Sequence, residues 1–182
     1  MKTDLKVKLL KHLTQKKQDE GFTLIELLVV IIIIGILSAI ALPSFLNQAN
    51  KAKQSEAKTY VGSMNRAQQA YFLENDGFVT DTGSFGELGL GIAIETDNYK
   101  YGVKASGSNV SNYADTAVTD SALRSYQGGV IVGTLTDTNE VTTLAVLCEA
   151  EQVARLQGPQ GSTVDVVINA DQPDCNTGWK KL

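Results

Sequence analysis

The N-terminal part of the chain carries one long apolar run. From Leu27 to Leu42 no side chain is charged, and Ser38 is the only polar one. At a rise of 1.5 Å per residue, a helix over Phe22–Leu46 is long enough to cross roughly 30 Å of hydrocarbon. We therefore expect residues 22–46 to form a transmembrane helix.

The helical pattern continues beyond this run as an amphipathic one. Polar residues such as Asn65 and Gln68 lie between the apolar positions and are expected to face water. No proline follows Pro43 before the stop signal Asn75-Asp76-Gly77, so we predict one helix from Thr23 to about Glu74. The apolar positions recur every three or four residues on one face, namely Ala57, Tyr60, Met64, Ala67 and Tyr71.

Strand patterns occupy the second half of the chain. Tyr99–Lys104 alternates between apolar and polar or small residues, as a half-buried strand does. Val130–Val132 and Val141–Leu147 are clear strand segments, Tyr113–Val118 is a weaker one, and Val164–Ile168 has the composition of a short fifth strand. The sequence thus predicts an α+β fold, a ladle in which an antiparallel sheet of about four strands packs on the second half of a long N-terminal α-helix.

Polar and glycine-rich segments predict the connections. Gly77–Asn98 is expected to be a surface loop with local turns, and Ser106–Asn112 an exposed loop. Thr136–Glu140 has the composition of a hairpin turn between two strands.

Charge divides the chain at Gly21. The 21 N-terminal residues hold six lysines against three acids, and basic flanks stay on the cytoplasmic side of a membrane. Removing them from totals of 16 basic and 20 acidic residues leaves 10 against 17, a net charge of −7, which disfavours general nucleic-acid binding. His12 is the only histidine. Without it no imidazole remains for acid–base catalysis or metal ligation, so we expect neither an enzyme nor a bound cofactor.

Glu26 is the exceptional residue of the apolar run. An ionised carboxylate in hydrocarbon costs several kcal/mol, so Glu26 should have a partner. The expected partner is the amino group that would be created by cutting the chain between Gly21 and Phe22. An ordinary secretory signal cut before Leu42 and an uncleaved signal anchor are alternatives, but both leave Glu26 without a partner.

The stretch Gly21-Phe22-Thr23-Leu24-Ile25-Glu26 resembles the start of type IV pilins and matches their motif at every position. Gly35 and Pro43 fall where this family often has residues that loosen the helix. The resemblance covers about Gly21–Tyr71.

The resemblance implies that a prepilin peptidase cuts after Gly21 and that the new N-terminal Phe22 is N-methylated. Residues 1–21 would then be a removed leader, 22–46 the membrane and filament-core half of the helix, and 47–182 a periplasmic or extracellular globular domain that includes the second half of the helix. The leader is longer than is usual for pilins that begin with Phe.

The resemblance also implies a function. Such a chain is a structural subunit of a type IV pilus, which serves motility, adhesion or DNA uptake. It first resides in the inner membrane and then polymerises with other copies at an assembly platform driven by motor ATPases. Glu26 would pair with the amino group of Phe22 on a neighbouring copy and set the axial register. A pseudopilin of a type II secretion system and a minor pilin are the alternatives, and a membrane-anchored secreted enzyme or binding protein is a more distant one.

The C-terminal third holds the remaining candidate sites. Cys148 and Cys175 are the only cysteines, and a lone pair outside the cytoplasm is most often a disulfide, as in the disulfide-bounded segment of pilins. Asn109-Val110-Ser111 fits a glycosylation acceptor, and Trp179–Lys181 forms a small basic-aromatic tip that could touch DNA only weakly. Five acids near the cysteines predict a solvated face rather than a calcium site, because they lack the spacing of an oxygen-ligand loop, namely Glu149, Glu151, Asp165, Asp171 and Asp174.

Overall fold

The structure is a computed structural model that describes residues 7–8, 21–135, 137–169 and 171–182. The predicted leader, with His12, therefore lies outside the described residues except for residues 7–8 and Gly21. Thr136 of the predicted hairpin turn also lies outside them. The chain divides into two compact units, Met1–Leu46 and Asn47–Leu182.

One helix, α1, runs from Leu24 to Asn75 and confirms the predicted long helix. It continues through Pro43, whose missing N–H leaves one backbone carbonyl of the preceding turn without its helical donor. The helix ends where the sequence predicted. Asp76 adopts a left-handed conformation with φ 52°, and its N–H bonds to the carbonyl of Phe72 at 2.9 Å.

Strands follow the helix along the chain. They are β1 Tyr99–Ser106, β2 Asn109–Thr116, β3 Tyr126–Thr134, β4 Val141–Ala150, β5 Val167–Asn169, β6 Gln172–Asp174 and β7 Trp179–Lys181. A five-stranded antiparallel sheet in the order β1-β2-β3-β4-β7 confirms the α+β class. Its fifth strand is the C-terminal segment β7, not the predicted Val164–Ile168, whose last residues instead begin a separate β5–β6 hairpin. Two short 3₁₀ helices, Thr82–Leu88 and Ala154–Leu156, lie in the connections.

The predicted exposed loop at Ser106–Asn112 is wrong. Only Gly107 and Ser108 turn, with Gly107 at φ 65°, and Asn109 already pairs with Ser106 as the first residue of β2. Ser111 and Asn112 are fully buried. Their polar side chains have hydrogen-bond partners inside the domain, so the serine and asparagine content that suggested a loop instead belongs to a central strand.

Both faces of the sheet are covered, which explains the near-continuous burial of β2 and β3. One face packs on α1. The segment after the second 3₁₀ helix covers the other face, where Asp115 accepts hydrogen bonds from the N–H groups of Gly161 at 2.6 Å and Ser162 at 3.0 Å. Val166 lies so close to Gly129 that any larger residue there would overlap it. The residues buried between the sheet and α1 include Ala57, Val61, Met64, Tyr99, Val110, Ala114 and Val130.

A buried amide network joins α1 to the sheet. Asn65 donates to the carbonyl of Val146 at 2.8 Å, and Asn112 donates to the side-chain carbonyl of Asn65 at 2.8 Å. Gln68 exchanges two hydrogen bonds with the backbone of Val79, at 2.8 and 3.0 Å. The expectation that Asn65 and Gln68 face water is therefore wrong. Because these hydrogen bonds form only when α1 and the sheet are in one relative register, the network fixes the position of the helix on the sheet.

Buried tyrosines give the domain an alkaline limit. Burial raises the pKa of Tyr99 and Tyr101, and it raises the pKa of Tyr126 to about 12. Tyrosine in an unfolded chain ionises near pH 10, so above that pH the unfolded state loses protons that the folded state keeps. Stability is then fully present below about pH 10 and falls as the pH rises toward about 12. We expect these three tyrosines to ionise only as the circular dichroism signal is lost, and phenolate formation by any of the three near pH 10 in a still-folded domain would contradict this.

Candidate functional site

The start of α1 is a reciprocal capping box made by Thr23 and Glu26. The N–H and the hydroxyl of Thr23 both donate to Oε2 of Glu26 at 2.8 Å. In return, the N–H of Glu26 donates to the Thr23 hydroxyl oxygen at 3.3 Å. Thr23 is the residue before the first helical position and Glu26 is the third residue of the helix, which is the spacing this motif requires. The carboxylate also lies at the positive end of the helix dipole.

The capping box changes the account of Glu26 in one respect. The partner expected for Glu26 from the sequence is a new amino terminus, whereas Thr23 of the same chain supplies two donors. The sequence carries the signal for this cap as Thr23-Leu24-Ile25-Glu26, which has the Thr-x-x-Glu spacing of a capping box. Among the described residues none donates a hydrogen bond to Oε1 of Glu26.

The apolar half of α1 has no cover within its own unit. Every residue from Gly21 to Leu46 is exposed, and Phe22 retains 87% of its accessible surface. By length and composition this is a helix able to cross a membrane, and none of its most apolar 18-residue window is buried. A soluble protein rarely leaves so long an apolar surface open. The segment therefore requires lipid or other apolar helices around it.

Gly35 and Pro43, predicted to loosen the helix, both lie inside this exposed stretch. A Cβ on Gly35 would meet no atom within 4 Å, so packing by the described residues does not require glycine there. Glycine at this position lowers helix stability by up to about 1 kcal/mol relative to alanine.

A disulfide joins Cys148 and Cys175, with 5.8 Å between the Cα atoms. Cys148 is fully buried on β4, and Cys175 follows β6. The bond ties the segment that covers the second sheet face to the sheet itself. Around it pack Val146, Ala150, Val166 and Trp179.

Three of the five acids near the disulfide lie beside cations of the same domain. Glu149 pairs with Arg124 at 2.9 Å, and Asp165 pairs with Lys104 at 2.9 Å. Asp174 lies 3.7 Å from Lys181. Among the described ranges, no group of three or more His, Cys, Asp or Glu side chains could hold a metal ion.

The two minor surface candidates of the sequence are poorly accessible. Asn109 of the glycosylation tripeptide is buried in β2, with 9% of its surface exposed. Trp179 of the basic-aromatic tip is also buried, with 5% exposed, so its ring cannot stack on a nucleic-acid base.

These features define a pilin-like subunit. Its helix begins with a capped carboxylate and an exposed apolar half, and a disulfide-tied antiparallel sheet packs on the second half of the same helix. Residues 54–173 match the model of the family described as type IV pilin-like G and H, which covers more than half of the chain. Residues 16–42 match the prokaryotic N-terminal methylation motif. The chain belongs to the type IV pilin-like family.

Individual relatives agree with this assignment. The chain is 41% identical over 104 residues to the type IV major pilin protein PilA of Myxococcus xanthus, covering 56% of this chain and 45% of that protein. It is 36% identical over 66 residues to the type II secretion system core protein G of Aeromonas hydrophila, covering 36% and 46%. It is 29% identical over 93 residues to the type IV wide pilus major component PilA4 of Thermus thermophilus, covering 51% and 70%. The first two matches thus span about half the length of those relatives.

Proposed function

We propose that this chain is a structural, non-enzymatic subunit of a type IV pilus. The observation that carries the proposal is the uncovered apolar half of α1. Near its start lies Glu26, which is capped through Oε2 and whose Oε1 has no donor among the described residues. Lipid tails cover this apolar surface before assembly, and the apolar helices of neighbouring subunits cover it afterwards. Because both environments are apolar, little hydrophobic burial is lost when a subunit moves from the membrane to a filament core.

In this proposal Glu26 supplies the register. Its Oε1 meets the amino group of Phe22 on a neighbouring copy, while Oε2 remains bound to Thr23. The capping box holds the carboxylate in one orientation, so less side-chain freedom is lost when the intermolecular pair forms. Gly35 and Pro43 give the helix the freedom to adjust its backbone during packing.

Processing creates the amino group that the pair needs. A prepilin peptidase removes residues 1–21 on the cytoplasmic side of the inner membrane, and Phe22 is methylated on nitrogen. Residues 22–46 then anchor the subunit, and residues 47–182 form the domain on the outer side. The further partners are other copies of the chain, an assembly platform and its motor ATPases.

We expect Gly21→Val to leave the leader attached, because a branched side chain beside the cut bond blocks access to the peptidase. Gly21→Ala, which adds a single methyl group, should be processed in part. Intact-mass spectrometry of the membrane fraction distinguishes the two chains. Normal cleavage of the valine variant would argue against a prepilin peptidase.

A pseudopilin of a type II secretion system is the second candidate, because a core protein G is among the relatives. A minor pilin is a third. Immunogold labelling with an antibody against the domain separates them, since a major pilin labels surface filaments along their length. Labelling confined to isolated points indicates a minor pilin, and unlabelled cell surfaces in secretion-competent cells indicate a pseudopilin.

A further inference from the structure

The cations of the domain fall into two groups. Among the described residues of the domain outside α1, five of the six cations form salt bridges with acids of the same domain, and only Lys180 does not. On α1 the pattern is reversed. None of the four helix cations forms a salt bridge with a described residue, although all are exposed, namely Lys51, Lys53, Lys58 and Arg66.

Two of these cations flank a shallow groove formed by α1 and by Leu147 of β4. We call this the basic groove, and it is lined by Ser55, Lys58, Thr59, Gly62, Arg66 and Leu147. The bottom of the groove is open at Gly62, because glycine has no side chain and a Cβ built there would meet no atom within 4 Å. No described residue of the domain fills the space, so glycine at this helical position is not explained by packing within the chain.

Unpaired acids gather at another part of the domain. Asp137 and Glu140 lie in the connection between β3 and β4, both exposed and neither in a salt bridge with a described residue. The turn between β5 and β6 packs against the end of this hairpin, where Gln172 donates to the carbonyl of Thr134 at 3.2 Å, and it adds the exposed Asp171. Asp137, Glu140 and Asp171 are called the acidic tip. Val141, which is 73% exposed, stands beside them.

Strand β4 separates the acidic tip from the basic groove. It begins at Val141 next to the tip and reaches Leu147 in the groove, six residues later. At about 3.4 Å per residue the two surfaces are roughly 20 Å apart. They therefore cannot pair within one copy. Two different complementary surfaces on one chain make a head-to-tail contact, which propagates into a helical filament unless it closes into a ring.

We propose that the basic groove binds the acidic tip of a second copy of this chain. Lys58 and Arg66 pair with Asp137 and Glu140, and the exposed Val141 packs over Gly62 and against Leu147. Charge complementarity steers the contact and fixes its register. The proposal rests on the proposed function in one respect, since it names a contact that orders neighbouring domains along the filament.

Charge exchange tests this contact. The double variant Lys58→Glu/Arg66→Glu should accumulate in the membrane at wild-type level but build about tenfold fewer filaments, because like charges then face each other. Adding Asp137→Lys and Glu140→Lys to the same chain should restore filament numbers. Lys180→Glu, which reverses an unpaired cation outside the groove, is the matched control and should change nothing. Wild-type filament numbers from the groove double variant would overturn the proposal.

Gly62→Leu separates docking from folding. Leucine favours helix and meets no atom of its own chain at Cβ, so the domain should be at least as stable as wild type. The side chain fills the groove, and filament numbers should fall. Undiminished filament numbers from a stable Gly62→Leu chain would overturn the proposal.

A cysteine pair identifies the occupant. The Arg66→Cys/Glu140→Cys chain should form disulfide-linked ladders on mild oxidation, since the native cysteines are already joined to each other. Adducts with another protein, or protection of the thiol introduced at position 66 by anionic vesicles alone, would overturn the proposal. A wild-type chain that makes no filaments would contradict the proposed function instead, and cross-linked dimers in the membrane would still test the groove.

Discussion

Glu26→Leu should be cleaved normally at Gly21-Phe22, accumulate in the inner membrane, and assemble few or no filaments. The substitution removes an expensive charge from hydrocarbon, so insertion is not impaired. It also removes the only acid of the apolar half of α1, and with it the proposed pairing of Oε1 with a neighbouring amino terminus. Breaking one side of a desolvated ion pair costs roughly 3–5 kcal/mol. The measurement is filament counting by electron microscopy beside membrane levels of processed subunit.

Two control variants separate the charge of Glu26 from its cap. Glu26→Gln keeps an acceptor that can reach the Thr23 N–H, since glutamine also serves in this motif. Thr23→Val removes the hydroxyl that bonds Oε2 and keeps the charge. We expect Glu26→Gln to assemble as poorly as Glu26→Leu and Thr23→Val to assemble nearly normally. Wild-type filament numbers from Glu26→Gln would show that Glu26 acts as a cap and not as a charge.

Cys148→Ser should destabilise the domain by roughly 3–4 kcal/mol, because a disulfide that closes a loop over a separation of 27 residues removes that much chain entropy from the unfolded state. The bond also holds the segment whose Val166 covers the second face of the sheet. Trp179, the single tryptophan, is buried beside the bond and reports unfolding through its fluorescence. The midpoint of denaturant unfolding should fall, with fewer filaments as a consequence.

Cys148→Ala/Cys175→Ala is the matched control, since it removes the bond without placing a hydroxyl in the buried cluster. It should lower the midpoint nearly as much. An unchanged midpoint after reduction of the wild-type chain, or two readily alkylated thiols in native material, would contradict a structural role for the bond.

The helix was predictable from the sequence almost to the residue. Its first half has no charged residue from Leu27 to Leu42, its second half has a regular apolar stripe, and Asn75-Asp76-Gly77 ends it. These are local signals, and they do not depend on distant partners. The motif Gly21–Glu26 is also a local signal, and it was sufficient to indicate the type IV pilin-like family to which the chain belongs.

The errors concern polar residues whose partners are distant in sequence. Asn65 bonds to the backbone 81 positions away, and Asn112 bonds to Asn65 across 47 positions. A polar side chain is expected in water unless such a partner is known, so the burial of Gln68 and Ser111 could not be predicted. The C-terminal strand was missed because three residues, Trp179–Lys181, carry no periodic pattern.

The decisive measurement for a type IV pilus subunit is the mass and N-terminal residue of protein sheared from cell surfaces. We expect filaments composed of a chain that begins at Phe22, carries one methyl group on its nitrogen, and has lost two hydrogens at Cys148 and Cys175. A sheared or secreted chain that begins at Leu42, or one that retains residues 1–21, would contradict the account.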